Sequence, residues 1–233
     1  MSKIKQLTGT ITKVVDLSPT AKELTIRPDD SLPFVAGAFV NLFVDHNGET
    51  IRRAFSVSSS DTNETEFTLA IRLTPEGKLT PLFWQEDFTD KTIKLMGPLG
   101  LNTAEKMQSR KVYLFGFGIG AGVVKSLAEH MKNRQDLESL TIVTGSRNTD
   151  DILYQKYFDK LSQNDSRITT KYVVSDKQQT IYPIGYIQHH LTGYDFNGAD
   201  VYICGQTVAC TDLESTIKNS KPKNCHFFVE DFH

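Results

Sequence analysis

The stretch Lys111-Val112-Tyr113-Leu114-Phe115-Gly116-Phe117-Gly118-Ile119-Gly120-Ala121-Gly122-Val123-Val124 decides how this chain folds. An apolar run, 111–116, enters a turn with glycine at every second position. Beyond it Val124, Leu127, Ala128 and Met131 stand at i, i+3, i+4 and i+7, the spacing of one helical face. Strand, glycine turn and helix in that order are the context a dinucleotide requires. Glycines let the backbone approach a pyrophosphate, and the free N–H groups and dipole of the helix start favour its charge. A tight turn without a ligand would use the same glycines, so the motif needs company. The next strand ends on Gly145-Ser146-Arg147 rather than on the acidic residue that usually holds a ribose.

Working outward, the alternation continues. Strands are expected at 140–144, 169–174, 201–204 and 226–229. Helices are expected around 152–161, with Thr149 as N-cap, near 185–191 and near 208–218. This reads as an α/β domain with a doubly wound parallel sheet over 104–233. Before it, short β-rich runs at 10–15, 21–27, 39–44, 54–58, 66–73 and 92–96 are separated by turns such as Pro28-Asp29-Asp30 and Asn47-Gly48. Runs so short and regular predict an antiparallel β-barrel over 1–103, whose closure removes exposed edges.

Composition excludes several functions. With 39% hydrophobic and 23% charged residues the chain is an ordinary globular protein, and a net charge of −2 argues against nucleic-acid binding by bulk electrostatics, leaving only a local basic patch for it. The most apolar stretch, 112–124, holds four glycines and falls short of the roughly 18–20 apolar residues of a membrane span. The start, MSKIKQLTGTITKVV, has no apolar leader core. Cys204, Cys210 and Cys225 are odd in number and lack metal-ligand spacing, and the six histidines do not cluster. No metal site is expected, and the cytoplasm is the expected compartment.

Two further stretches carry chemistry. Arg52-Arg53-Ala54-Phe55-Ser56, read as the start of a strand, offers a guanidinium for a phosphate, an aromatic face and a hydroxyl. A surface arginine pair beside a plain strand is the alternative. Gly77-Lys78-Leu79-Thr80-Pro81 reads as a helix start with Thr80 as N-cap, again able to meet a phosphate.

The order of these pieces resembles the ferredoxin–NADP reductase superfamily, and the resemblance covers nearly the whole chain. Phe34 to Val40 is similar to the strand before the family's flavin motif. Arg53-Ala54-Phe55-Ser56 is similar to its Arg-x-Tyr-Ser, Gly77-Lys78-Leu79-Thr80 to its Gly-x-x-Ser phosphate turn, and Met96 to Gly100 to its Gly-Pro-x-Gly. Gly116, Gly118 and Gly120 match the nicotinamide-nucleotide turn, and Cys204-Gly205-Gln206 resembles its Cys-Gly-Pro. The resemblance implies an FAD-binding barrel and an NAD(P)-binding domain. It implies that Arg53 holds the flavin phosphate and Phe55 packs on the isoalloxazine. Catalytic roles fall to Ser56 near flavin N5, Cys204 near nicotinamide C4, and Glu230 as the carboxylate that completes such sites. The chain departs from the family at Phe55 for tyrosine, Ile119 for threonine and Gln206 for proline.

The implied activity is a flavin-dependent NAD(P)H oxidoreductase with FAD as cofactor and NAD(P)H as substrate. It would act as a monomer and pass electrons to a separate ferredoxin or flavodoxin, or to free flavin. No fused ferredoxin module is expected after 233. A free-flavin reductase and a non-catalytic electron-relay subunit remain the alternatives. NADH and NADPH stay open: Ser146, Arg147 and Lys177 suit a 2′-phosphate, whereas Asp176 repels one. Arg52, Arg72, Lys78 and Lys91 are expected to form a basic docking face for an acidic carrier.

Overall fold

The computed structural model describes residues 3–176 and 180–232. Strands β1 (Lys5–Ser18), β2 (Ala21–Pro28), β3 (Phe39–His46), β4 (Glu49–Ser56), β5 (Phe67–Arg72) and β6 (Thr92–Leu99) form one antiparallel sheet, with helix α1 (Leu82–Gln85) between the last two. The order β4-β3-β6-β1-β2-β5 curls until its ends meet. A bridge from Val57 to Leu69 and the bond from Ser58 N–H to the Thr68 carbonyl, 2.8 Å, make that closure. Ile11, Leu24, Ile26, Leu42, Leu69 and Leu95 fill the interior and are almost wholly buried. Each such side chain stabilises the fold by roughly 1.5–3 kcal/mol.

Asn47 and Gly48, both at positive φ, form the two-residue turn that pairs His46 with Glu49. Strand β4 therefore begins at Glu49, and Arg52 to Ser56 stand at its C-terminal end rather than its start. Helix α1 is a single turn that Thr80 does not cap. The Thr80 hydroxyl accepts from Thr74 N–H at 2.9 Å and donates to the Thr74 carbonyl at 3.3 Å, closing the loop instead.

The second sheet is parallel throughout, with β7 (Lys111–Phe117), β8 (Ser139–Ser146), β9 (Ile168–Val174), β10 (Ala199–Gln206) and β11 (His226–Phe232) in the order β11-β10-β7-β8-β9. Helices α2 (Ala121–Met131), α3 (Gln155–Asn164) and α4 (Thr207–Asn219) connect them. Val124, Leu127, Ala128 and Met131 are all 0% exposed, so the spacing that predicted a helical face is the face α2 buries. Two helix starts differ from expectation. Thr149 opens a 3-10 turn, Thr149–Asp151, and Tyr154 then takes φ 57 before α3 begins. The Tyr154 hydroxyl donates to Glu23 of β2 at 2.7 Å, so this residue serves the contact between the sheets rather than a continuous helix. The helix expected near 185–191 is one 3-10 turn, Ile187–His190.

Polar contacts join the two halves. Lys125 of α2 donates to the Ser58 carbonyl at 3.1 Å, Thr20 donates to Asp151 at 3.2 Å, and Asn102 donates to the Val229 carbonyl at 2.7 Å. His130 Nδ1 lies 2.6 Å from Asp61 Oδ2. Among the described residues no helix is long and apolar enough to cross a membrane.

Candidate active site

The order of the parallel sheet reverses between β7 and β10, and ligands of such sheets sit outside the carboxyl ends of the strands at that point. Here the end of β4 faces the reversal across a cleft of about 1140 Å³. Ordinary ligand pockets measure about 300–1000 Å³, so the cleft lies just above the top of that range. Strand β4 contributes Arg53, Ala54, Phe55 and Ser56. The loop after β5 contributes Thr74, Gly77, Leu79 and Thr80, the glycine turn Gly118 and Ile119, and the end of β8 Ser146 and Arg147.

The glycine turn has two tasks. Gly118 takes φ 53, and a Cβ there would lie 2.9 Å from a guanidinium nitrogen of Arg72. Gly120 meets the other strand of the reversal: a Cβ would come within 2.3 Å of the Cys204 carbonyl oxygen. Gly120 is thus required for packing against β10, and Gly118 is the glycine of the turn that lines the cleft. No side chain caps the start of α2; the 3-10 turn Gly118–Gly120 runs directly into it, with the Ala121 N–H donating to the Gly118 carbonyl.

Arg53, Arg72 and Arg147 border the cleft, and Arg53 Nη1 donates to the Arg52 carbonyl at 2.7 Å. Asp176 lines the same end, its N–H on the Arg147 carbonyl at 2.8 Å, and Ser146 Oγ donates to the Asn148 carbonyl at 2.9 Å. Lys177 lies outside the described residues. In the expected phosphate turn Lys78 points elsewhere, pairing with Glu49 at 3.0 Å, and Leu79 is buried in the barrel. The basic docking face is not assembled as expected either. Lys91 pairs with Glu86 at 2.7 Å, Arg52 Nε donates to Asn41 at 3.1 Å, and Arg72 turns into the cleft.

Ser56 and Glu230 come together from opposite ends of the chain. Ser56 Oγ donates to Glu230 Oε1 at 3.2 Å, while the Tyr202 hydroxyl donates to Oε2 at 2.7 Å. Burial raises the Glu230 carboxyl above its usual range, and the two hydrogen bonds offset part of that rise. Glu230 is the register partner of Cys204 on the adjacent parallel strand. The Cys204 thiol is 0% exposed within the cluster that includes Ala121 and Tyr202, and it does not line the cleft. Burial, and then the Glu230 carboxylate, push it well above the ordinary thiol range, so it is a neutral thiol. Gly205 follows it with φ 149.

Sequence reading missed Arg72 as a cleft residue and Tyr202 altogether. Arg72 ends β5, where a side chain meets the facing turn. Tyr202 lies two residues before Cys204 on the same face of β10, a period-2 relation visible only once that strand is fixed.

Comparison with known proteins agrees with this geometry. The oxidoreductase FAD-binding domain family matches residues 9–103, and the oxidoreductase NAD-binding domain family matches residues 114–213. The reductase component DmpP of phenol 2-monooxygenase from Pseudomonas sp. (strain CF600) is 25% identical over 237 residues, covering 99% of this chain and 66% of that protein. The chain spans about two thirds of the length of such curated relatives. The cytochrome P450 reductase GcoB from Amycolatopsis shares the fold with a TM-score of 0.91 at 20% identity, over 100% of this chain and 71% of that one. A ferredoxin NADP+ reductase from Neisseria gonorrhoeae, solved with FAD and NADP, gives 0.84 at 18% identity over 99% of both chains. An uncapped helix start, a left-handed glycine and three arginines around one cleft fit two phosphate-bearing cofactors, FAD and a nicotinamide dinucleotide. The chain belongs to the ferredoxin–NADP reductase superfamily.

Proposed function

We propose that this chain is a flavin-dependent NAD(P)H oxidoreductase that passes electrons from NAD(P)H through FAD to a separate acceptor. The observation that carries the reading is the shared cleft, where Arg53, Phe55 and Ser56 of β4 face the β7/β10 reversal. FAD, when bound, accepts hydride from the nicotinamide and releases electrons singly. In this reading Arg53 binds the flavin phosphate and Phe55 offers its aromatic face. Ser56 directs its proton to Glu230, which leaves its oxygen to accept a hydrogen bond from the cleft. Gly118 and the start of α2 take the nucleotide pyrophosphate, with Arg72 and Arg147 supplying charge. The protein's contribution is orientation of the two reacting rings.

The acceptor in this proposal is a small redox protein or an oxygenase component, and the protein is a cytoplasmic monomer. The relatives named as reductase or electron-transfer components support a protein acceptor. The pairing of Lys78 and Lys91 with glutamates supports docking that does not depend on those two charges.

One observation favours a second reading, that of a free-flavin reductase. Lys78 is turned to Glu49 and Thr80 to Thr74, so few side-chain donors besides Arg53 remain to retain a flavin phosphate. Oxidation of NADH and NADPH with an artificial one-electron acceptor tests both. Turnover by protein that purifies with stoichiometric FAD supports the first reading. Turnover that requires and tracks added flavin supports the second, and none with either nucleotide leaves only a non-catalytic relay.

A further inference from the structure

The proposed site uses Ser56 and the carboxylate it touches, but it leaves unexplained a buried phenol on that carboxylate's other oxygen. Tyr202 is among the largest fully buried side chains of the molecule, and its hydroxyl reaches Glu230 Oε2 at 2.7 Å. Burial, and then the neighbouring Glu230, raise this phenol well above its ordinary range. It therefore remains a neutral donor. A phenol buried in an apolar sheet is costly unless its hydroxyl is bonded, and a carboxylate in the same place needs donors on both oxygens.

We infer that Tyr202 is a positioning residue: it clamps Oε2 of Glu230 so that Oε1 faces Ser56, and so fixes the direction of the Ser56 hydroxyl at the cleft. The inference rests on the functional reading of the Ser56 cleft, although the clamp itself does not. The carboxylate has two oxygens and a rotatable terminal torsion. With a donor only at Ser56, 3.2 Å away, it could turn and leave that bond unmade. With a shorter bond on the opposite oxygen, from a side chain locked in the core, it has one orientation. The groups facing it are Ser56 from β4 and Tyr202 and the neutral Cys204 from β10, while Asp231, next on β11, alternates to the other face. Tyr202 and Ser56 are the donors that favour its ionised form.

The test is Tyr202→Phe, which keeps the ring and removes only the hydroxyl. Infrared titration of the flavin-free protein, with Glu230→Gln identifying the carboxyl band, reads the clamp directly. The Glu230 midpoint should rise by on the order of one pH unit, because its charged form loses a buried donor. In the FAD-loaded protein, reduction by nucleotide should slow about three- to tenfold with KM unchanged. Should Tyr202→Phe fold poorly, replacing tyrosine globally with fluorotyrosine, a stronger donor, should move the same band the other way. A Glu230 midpoint that moves in neither protein overturns the inference. If the midpoint moves but wild-type protein oxidises no nucleotide, the clamp stands and the functional reading fails.

Discussion

Gly120 and Cys204 touch backbone to backbone: the position a Cβ would take on Gly120 lies 2.3 Å from the Cys204 carbonyl oxygen. This contact holds the glycine turn against β10 where the sheet order reverses. Backbone cannot yield as a flexible side chain can. Gly120→Ala should destabilise the protein by about 1–3 kcal/mol or more and weaken nucleotide binding, read by denaturant unfolding and by nucleotide titration. Wild-type stability in the variant would show that the turn and β10 are not packed this closely.

Arg53 is exposed at the cleft wall, and its described hydrogen bond goes to a neighbouring carbonyl, so it is free to take a phosphate. Arg53→Ala should weaken FAD binding about ten- to hundredfold while leaving the fold intact, measured by flavin titration of the apoprotein. Unchanged affinity would remove Arg53 from the phosphate site.

Asp61 and His130 latch the barrel to α2. Burial alone would raise the Asp61 carboxyl, but the His130 hydrogen bond and the Ala36 N–H outweigh it and hold the group below the usual carboxylate range. A folded-state value below the unfolded one gives stability that is complete above the unfolded value and lost as pH falls through the folded one. Asp61→Asn should therefore be less stable than wild type at neutral pH, and the gap should close only as pH falls below the ordinary aspartate range. A gap that stays constant through acid unfolding would contradict the latch.

Much of this architecture was legible in the chain. The i, i+3, i+4, i+7 spacing after Gly122 found the buried face of α2, and the short runs before residue 100 found the barrel. What was not legible depends on partners chosen by tertiary packing. Thr80 reads as an N-cap by its neighbour Pro81, yet its hydroxyl closes the loop at Thr74. Lys78 reads as a phosphate ligand by its place after Gly77, yet Glu49 takes it. Ser56 and Glu230 could each be singled out, but their bond spans 174 positions and exists only because β10 and β11 pair with Cys204 opposite Glu230. The same register hid Tyr202.

The most direct measurement is anaerobic mixing of the FAD-loaded protein with NADH and with NADPH while the oxidised-flavin absorbance is followed. At least one nucleotide should bleach the flavin completely, one equivalent per bound FAD, and Ser56→Ala should slow the step by at least about tenfold at unchanged FAD content. Flavin that stays oxidised in the presence of both nucleotides, although both bind, would contradict the proposed function.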